Sequence, residues 1–283
     1  MNLAAAQHSG EAGVMAAPSG PLVVPAMPEA AGSPRLSLVV PTLNERENIA
    51  DFLDAVRHTL DTALPGAYEV IVVDDDSPDR TWEIAASLAA GFPELRVVRR
   101  QNEHGLAVAV IRGWQVARGA VLGTINADFQ HPPDVLGRLI ERMGAADLAV
   151  ATRHGDGGGL GDWGMMRRVS SWGAARIGRV LLPEVYARLS DPLSGCYLVR
   201  RAAIQGAVLE PLGYKSLMEI LVRGNIGEVR ECGYEMRKRS RGQSKVHALH
   251  PLQYIRHVFR LRAAARCRLG RGGASACQVD RES

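Results

Sequence analysis

Five short apolar runs constrain the fold more than anything else in the chain: Leu36 to Val40, Tyr68 to Val73, Leu95 to Arg99, Val121 to Ile125 and Leu148 to Ala151. Each is the length of a buried strand and too short for a core helix. Between them lie helical stretches, from about Asn44 to Leu60, Trp82 to Gly91 and Ala107 to Ala117, and a further helix is expected from Met165 to Leu182. Acidic residues in the Asn44-Glu45-Arg46-Glu47-Asn48 opening suit a helix N-terminus. Strands alternating with helices specify βαβ units, hence an α/β architecture with a mainly parallel sheet covered by helices on both faces.

With 283 residues, 46% of them hydrophobic, the chain can bury one large core. Residues 1–34 are rich in Ala, Gly, Pro and Ser and lack the basic and apolar regions of a secretory signal, so they read as a disordered arm. Residues 35–250 form the folded domain, and 251–283 a basic amphipathic C-terminal helix and tail. No apolar run reaches the 18 or so residues of a membrane-spanning helix. Four cysteines without CxxC or metal-ligand spacing fit a reducing cytoplasm rather than a disulfide framework.

The net charge is only +4, yet no Asp or Glu occurs from Met236 to Val279. That basic block favours an anionic partner: a phosphorylated substrate, acidic lipid headgroups or nucleic acid. No aromatic platform interleaves the charge, which argues against nucleic acid. The first strand is not followed by a GxGxxG turn, which argues against a dinucleotide dehydrogenase.

Ligands on doubly wound sheets gather at the carboxyl ends of strands. Two polar clusters fall there. Asp74, Asp75 and Asp76 follow the second strand; they repel one another unless donors or a cation sit nearby, and are otherwise a solvated loop whose Ser77-Pro78-Asp79 caps the next helix. Asn126-Ala127-Asp128-Phe129-Gln130-His131-Pro132-Pro133 follows the fourth strand, and offers hard oxygen ligands for Mg²⁺ or Mn²⁺ or simply a helix-opening turn. Arg239-Ser240-Arg241-Gly242-Gln243-Ser244-Lys245 has the side chains that hold phosphate oxygens, in a tail where charge is abundant anyway. Asp191, in Ser190 to Cys196, sits on a turn, where it could orient a sugar hydroxyl, organise the cleft or serve only the turn.

In order along the chain, these segments resemble glycosyltransferase family 2 enzymes of GT-A fold, most closely the polyprenol (dolichol) phosphate mannosyltransferases. Val72 to Thr81 is similar to that family's DDxSPDGT element with Arg80 in the Gly place; His104 to Ala109 to KxGLGxA with Ala107 replacing a Gly; Asn126 to Pro133 to DADLQHPP with Asn126 replacing an Asp; Ser190 to Cys196 to DPxSGF; and Arg239 to Lys245 to RxxGxSK. The resemblance covers about Leu36 to Leu261. It implies a metal-dependent enzyme that transfers a hexose, foremost mannose from GDP-mannose, to a polyprenyl phosphate with inversion. Alternatives are a UDP-sugar-dependent hexosyltransferase on the same acceptor and a catalytically impaired sugar-nucleotide-binding subunit.

The resemblance implies that Pro41, Glu45, Asp74 and Asp75 contact the nucleoside and that Asp128, Gln130 and Asn126 hold a divalent metal against the diphosphate. Arg153, Arg167, Ser171, Arg239 and Lys245 would surround the acceptor phosphate, with Asp128, Asp191 and Arg239 closest to the chemistry. Leu252, Ile255, Val258 and Phe259 recur at roughly helical spacing among arginines. They form either an interfacial helix, placing the enzyme peripherally on the cytoplasmic face of a membrane with or without an anchoring subunit, or a face packed on the core.

Overall fold

The computed structural model describes residues 13–28, 32–154, 158–159, 173, 176–241 and 250–270. Eight strands make one sheet: β1 (Val14–Ala16), β2 (Leu36–Thr42), β3 (Tyr68–Asp74), β4 (Leu95–Arg99), β5 (Val121–Thr124), β6 (Leu148–Thr152), β7 (Tyr197–Arg200) and β8 (Val229–Gly233). Their order is β1-β4-β3-β2-β5-β7-β6-β8, with β7 antiparallel to both neighbours and every other pairing parallel. The expected α/β sheet is therefore present.

Every residue of β2 and β3 is buried, which explains their unbroken apolar character: helices cover both faces. On one face lie α1 (Ile49–Ala63), α2 (Thr81–Leu88) and α4 (Val135–Met143), packed on Leu38, Val40, Val70 and Val72. Helix α1 presents Ile49, Phe52, Leu53, Val56 and Leu60, an i, i+3, i+4, i+7 stripe in which each fully buried side chain contributes roughly 1.5–3 kcal/mol. On the other face α3 (Leu106–Val116) packs on Val39, Ile71 and Val73. The short α5 (Pro183–Tyr186), α6 (Ser216–Arg223) and α7 (His250–Gly270) extend that second layer. Of the helix expected from Met165 to Leu182, residues 176–181 are helical and 165–172 lie outside the described residues.

At the N-terminal end the structure differs from expectation. Residues 13–28 are not a disordered arm: β1 pairs with β4, Val24 is buried in the core, and Arg112 and Arg201 donate to the carbonyls of Gly20 and Pro25. A three-residue strand and backbone-directed arginines leave no hydrophobic period to read. The C-terminal helix begins at His250 and shows the core-packed face, one of the two alternatives for it: Tyr254, His257, Val258 and Leu261 of α7 are buried, and His257 Nε2 meets Glu219 of α6 at 2.7 Å. Phe259, by contrast, points outward and is 57% exposed.

The chain winds from β2 through β3 to β4 on one side, then returns to place β5 on the other side of β2. The crevice beyond the carboxyl ends of β2 and β5 is thus the topological switch point.

Candidate active site at the carboxyl ends of the strands

Among the described residues four non-glycines have positive φ, and three of them, Asn44, Asp76 and Phe129, lie just beyond β2, β3 and β5. Left-handed backbone at such residues costs energy and marks loops whose shape is fixed by their surroundings. Phe129 (φ 58°) is held by an edge-to-face contact with Phe52, ring centroids 5.1 Å apart.

Beyond β2 and β3 the loops are tied together. Asp74 is fully buried; its Oδ1 accepts the Ser77 N–H, and its Oδ2 accepts the hydroxyls of Thr42 and Ser77, at 2.6–2.7 Å. Burial raises the Asp74 carboxyl, an effect these bonds only partly offset. Asp74 thus shapes the loop beyond β3. Asp75 meets the buried Arg100 at 3.1 Å and accepts the Gly105 N–H at 2.8 Å. Burial pushes it up to about 6 despite Arg100. Gly105, at φ 115°, opens α3 in a conformation few other residues adopt. Pro41 is buried at the end of β2, in register with Val73.

Beyond β5 the geometry concentrates on Asp128. Its Oδ1 accepts the Gln130 N–H at 3.1 Å and its Oδ2 lies 2.9 Å from Arg239 Nη2. The other arm of that guanidinium donates to Glu45 Oε1 at 3.0 Å, so one arginine joins the β2 and β5 loops. It is brought there by backbone pairing: Arg237 N donates to Gln130 O and Ser240 N to Asp128 O. Asn48 adds a bond to Arg241 O.

Asn126 stands next to this pair. Its Oδ1 is buried and unpartnered, and a methyl group built on Gly195 would lie 2.8 Å from its Nδ2, so the turn after Asp191 closes directly on it. A buried oxygen without a donor is costly unless something electropositive reaches it. Among the described residues no three His, Cys, Asp or Glu side chains converge on one point. A cation here would rely on Asp128 with amide oxygens from Asn126 and Gln130 and on oxygens of a ligand, a donor set that suits Mg²⁺ or Mn²⁺.

Arg153, after β6, forms a two-pronged pair with Asp191: Nε to Oδ2 at 2.6 Å and Nη2 to Oδ1 at 2.7 Å, both side chains largely buried. Burial opposes the charge on Asp191, but the Arg153 bonds outweigh it and hold the carboxyl below its usual range. His131 stacks on Tyr234 with centroids 4.8 Å apart, both ring nitrogens buried and unpartnered. Burial pushes it down to about 3, so it is neutral. Gly195, four residues beyond Asp191, lies against both Asn126 and His131, a methyl group built on it falling 3.5 Å from His131 Cε1, so the turn that carries Asp191 borders the Asn126 to His131 loop.

Arg167, Ser171 and Lys245 lie outside the described residues. The sequence reading missed Arg100, the partner of Asp75, and Lys215, just before α6, which donates to Leu193 O at 2.5 Å. Only three lysines occur in the chain, and this one sits apart from the basic tail. That isolation was the available signal.

Residues 37–206 match the family model described as Glycosyl transferase family 2. A dolichol-phosphate mannosyltransferase of Pyrococcus furiosus is 42% identical over 80% of this chain; the match spans 63% of that protein, less than two thirds of its length. An undecaprenyl-phosphate mannosyltransferase of Micrococcus luteus is 32% identical over 82% of this chain and 96% of its own. Among solved structures, glucosyl-3-phosphoglycerate synthase from Mycobacterium tuberculosis, in complex with Mn²⁺, uridine diphosphate and glucosyl-3-phosphoglycerate, superposes with a TM-score of 0.58 at 23% identity, covering 84% of this chain and 80% of that one. That likeness concerns the fold.

Proposed function

This chain belongs to glycosyl transferase family 2 and is a glycosyltransferase, and from that premise we propose that it transfers mannose from GDP-mannose to a polyprenyl phosphate, inverting the anomeric centre. The observation that carries the reading is the adjacency of two charge-organised halves: Arg239 bridging Glu45 and Asp128 on the donor side, and the Arg153–Asp191 pair beside it on the other. The names of the two relatives, which are mannosyltransferases of polyprenyl phosphates, supply the sugar and the acceptor class.

The chemistry needs no general base. A phosphate monoester has a second pKa near 6 and is mostly dianionic at neutral pH, so it is already a nucleophile. The task is to bring two anionic substrates together and to stabilise the departing nucleoside diphosphate. Asp128, Gln130 and Asn126 would hold a divalent metal, which when bound supplies charge neutralisation at the diphosphate. Arg239, already oriented by Glu45 and Asp128, donates to diphosphate oxygens as charge develops there. Asp191 fixes the orientation of the Arg153 guanidinium, which serves the acceptor side of the cleft. Direct displacement from the far side of the sugar turns an α-linked donor into a β-linked lipid phosphate.

A lipid acceptor requires access to a membrane. No described helix is long and apolar enough to cross one. On α7 the exposed Phe259, flanked by exposed Arg256, Arg260 and Arg266, forms an outer face suited to anionic headgroups, while Val258 and Leu261 serve the core.

Radiolabelled transfer to a short polyprenyl phosphate, run in parallel with GDP-mannose and UDP-glucose, tests the reading. A β-linked mannosyl product with GDP-mannose is the expected result. Product from UDP-glucose alone would replace the donor, and no product from either would sink the transferase assignment on this acceptor.

A further inference from the structure

We infer that Lys215 is the cation that engages the phosphate of the acceptor. This rests on the reading above that the acceptor is a phosphate monoester.

A dianionic phosphate entering a half-buried site needs positive charge that is not already cancelled. Arg153 is held by both oxygens of Asp191, so that pair brings no net charge. Arg239 is shared by two carboxylates, Glu45 and Asp128. Lys215 forms no ion pair among the described residues, and its hydrogen bond to Leu193 O holds it on the turn that carries Asp191.

The position is also built. Lys215 Nζ donates to Leu193 O, two residues beyond Asp191, and lies 4.5 Å from the ring centroid of Tyr214. An ammonium has three donors, so two remain for phosphate oxygens. The Leu193 bond and the Tyr214 ring confine where they point. A compact ammonium suits a rotating phosphate monoester better than a planar fork, and here a lysine stands in a chain whose basic residues are nearly all arginine.

The energetics agree. Burial, with Arg153 nearby, pushes Lys215 down to about 7, so the free site carries its charge reluctantly. A bound dianion restores the favourable charged form, coupling the lysine's protonation to acceptor binding as well as to folding.

The test is steady-state mannosyl transfer by the full chain from GDP-mannose to farnesyl phosphate at pH 7 with Mn²⁺, comparing wild type, Lys215→Met and Lys215→Arg. Lys215→Met should raise the acceptor KM by roughly ten- to a hundredfold, the loss of a charge-assisted contact, and Lys215→Arg should recover part of it. The GDP-mannose KM should stay within about threefold, and GDP should still raise the thermal midpoint of both variants, which verifies the donor half and the fold. An unchanged acceptor KM in Lys215→Met overturns the inference, as does an equal loss in both KM values, which marks a structural role. Wild type's own acceptor KM supplies a check without substitution: it should climb as pH rises above 7, and a flat profile from pH 7 to 9 also overturns it. Wild type that makes no mannosyl product overturns the acceptor assignment itself.

Discussion

Arg239 Nη2 lies 2.9 Å from Asp128 Oδ2, and through the same guanidinium Asp128 is linked to Glu45 on the neighbouring loop. The carboxylate that the sequence marks as a metal ligand is therefore also the anchor of the arginine that closes the cleft. Asp128→Ala should lower transfer by about a hundredfold or more, through the loss of both roles. Asp128→Asn, which keeps an oxygen for Arg239, should retain protein stability while still losing activity. Measured transfer in Asp128→Ala near the wild-type rate would remove Asp128 from the site.

Asn126 stands where its family carries a carboxylate, with its Oδ1 buried and unpartnered. Asn126→Asp adds a charge to a site that has one carboxylate among its expected ligands, so the Mn²⁺ concentration for half-maximal activity should fall on the order of tenfold. Titration calorimetry of Mn²⁺ in the presence of GDP gives a second readout. Weaker Mn²⁺ binding in the variant would mean that Asn126 faces something other than the cation.

Lys215 also leaves a mark on folding that does not depend on any substrate. Its folded pKa, about 7, is below the ordinary lysine value, so between roughly pH 7 and pH 10 the unfolded chain binds the additional proton. Stability attributable to this group therefore rises with pH across that window. The difference in thermal midpoint between wild type and Lys215→Met should change in wild type's favour from pH 7 to pH 9, and a constant difference would contradict the depressed pKa.

Arg80 opens α2 in the left-handed region, φ 64° and ψ 32°, at the position where its family carries glycine. Its side chain makes only an exposed ion pair with Glu83. Arg80→Gly should therefore stabilise the fold by about 1 kcal/mol, read as an increased denaturant midpoint at constant slope. A lower midpoint would show that the contacts of the arginine side chain within the fold outweigh the strain of its backbone.

The five apolar strands were legible because parallel strands buried on both faces leave no room for polar residues. β8 was not, since Val229-Arg-Glu-Cys-Gly at the sheet edge carries two charges. β7 was hidden by its antiparallel insertion between β5 and β6, an order no local pattern encodes. In the site, Asp128 and Asp191 could be found from their strand ends and turns. Their partnership with Arg239 and Arg153 spans 111 and 38 residues and belongs to the folded chain alone. The bonds of Asp74 could not be read in advance, because an acidic cluster looks alike whether its carboxylates face solvent or bind their own loop.

Strand β1 has a consequence for handling the protein. A trimmed form starting near residue 35 would retain every recognisable motif, yet it would leave β4 as the unprotected rim of the sheet, with a free ladder of backbone donors and acceptors beside Val97 and Val98. Bare rims recruit other strands, and self-association is the usual result. The short leading segment is in this sense a guard against aggregation.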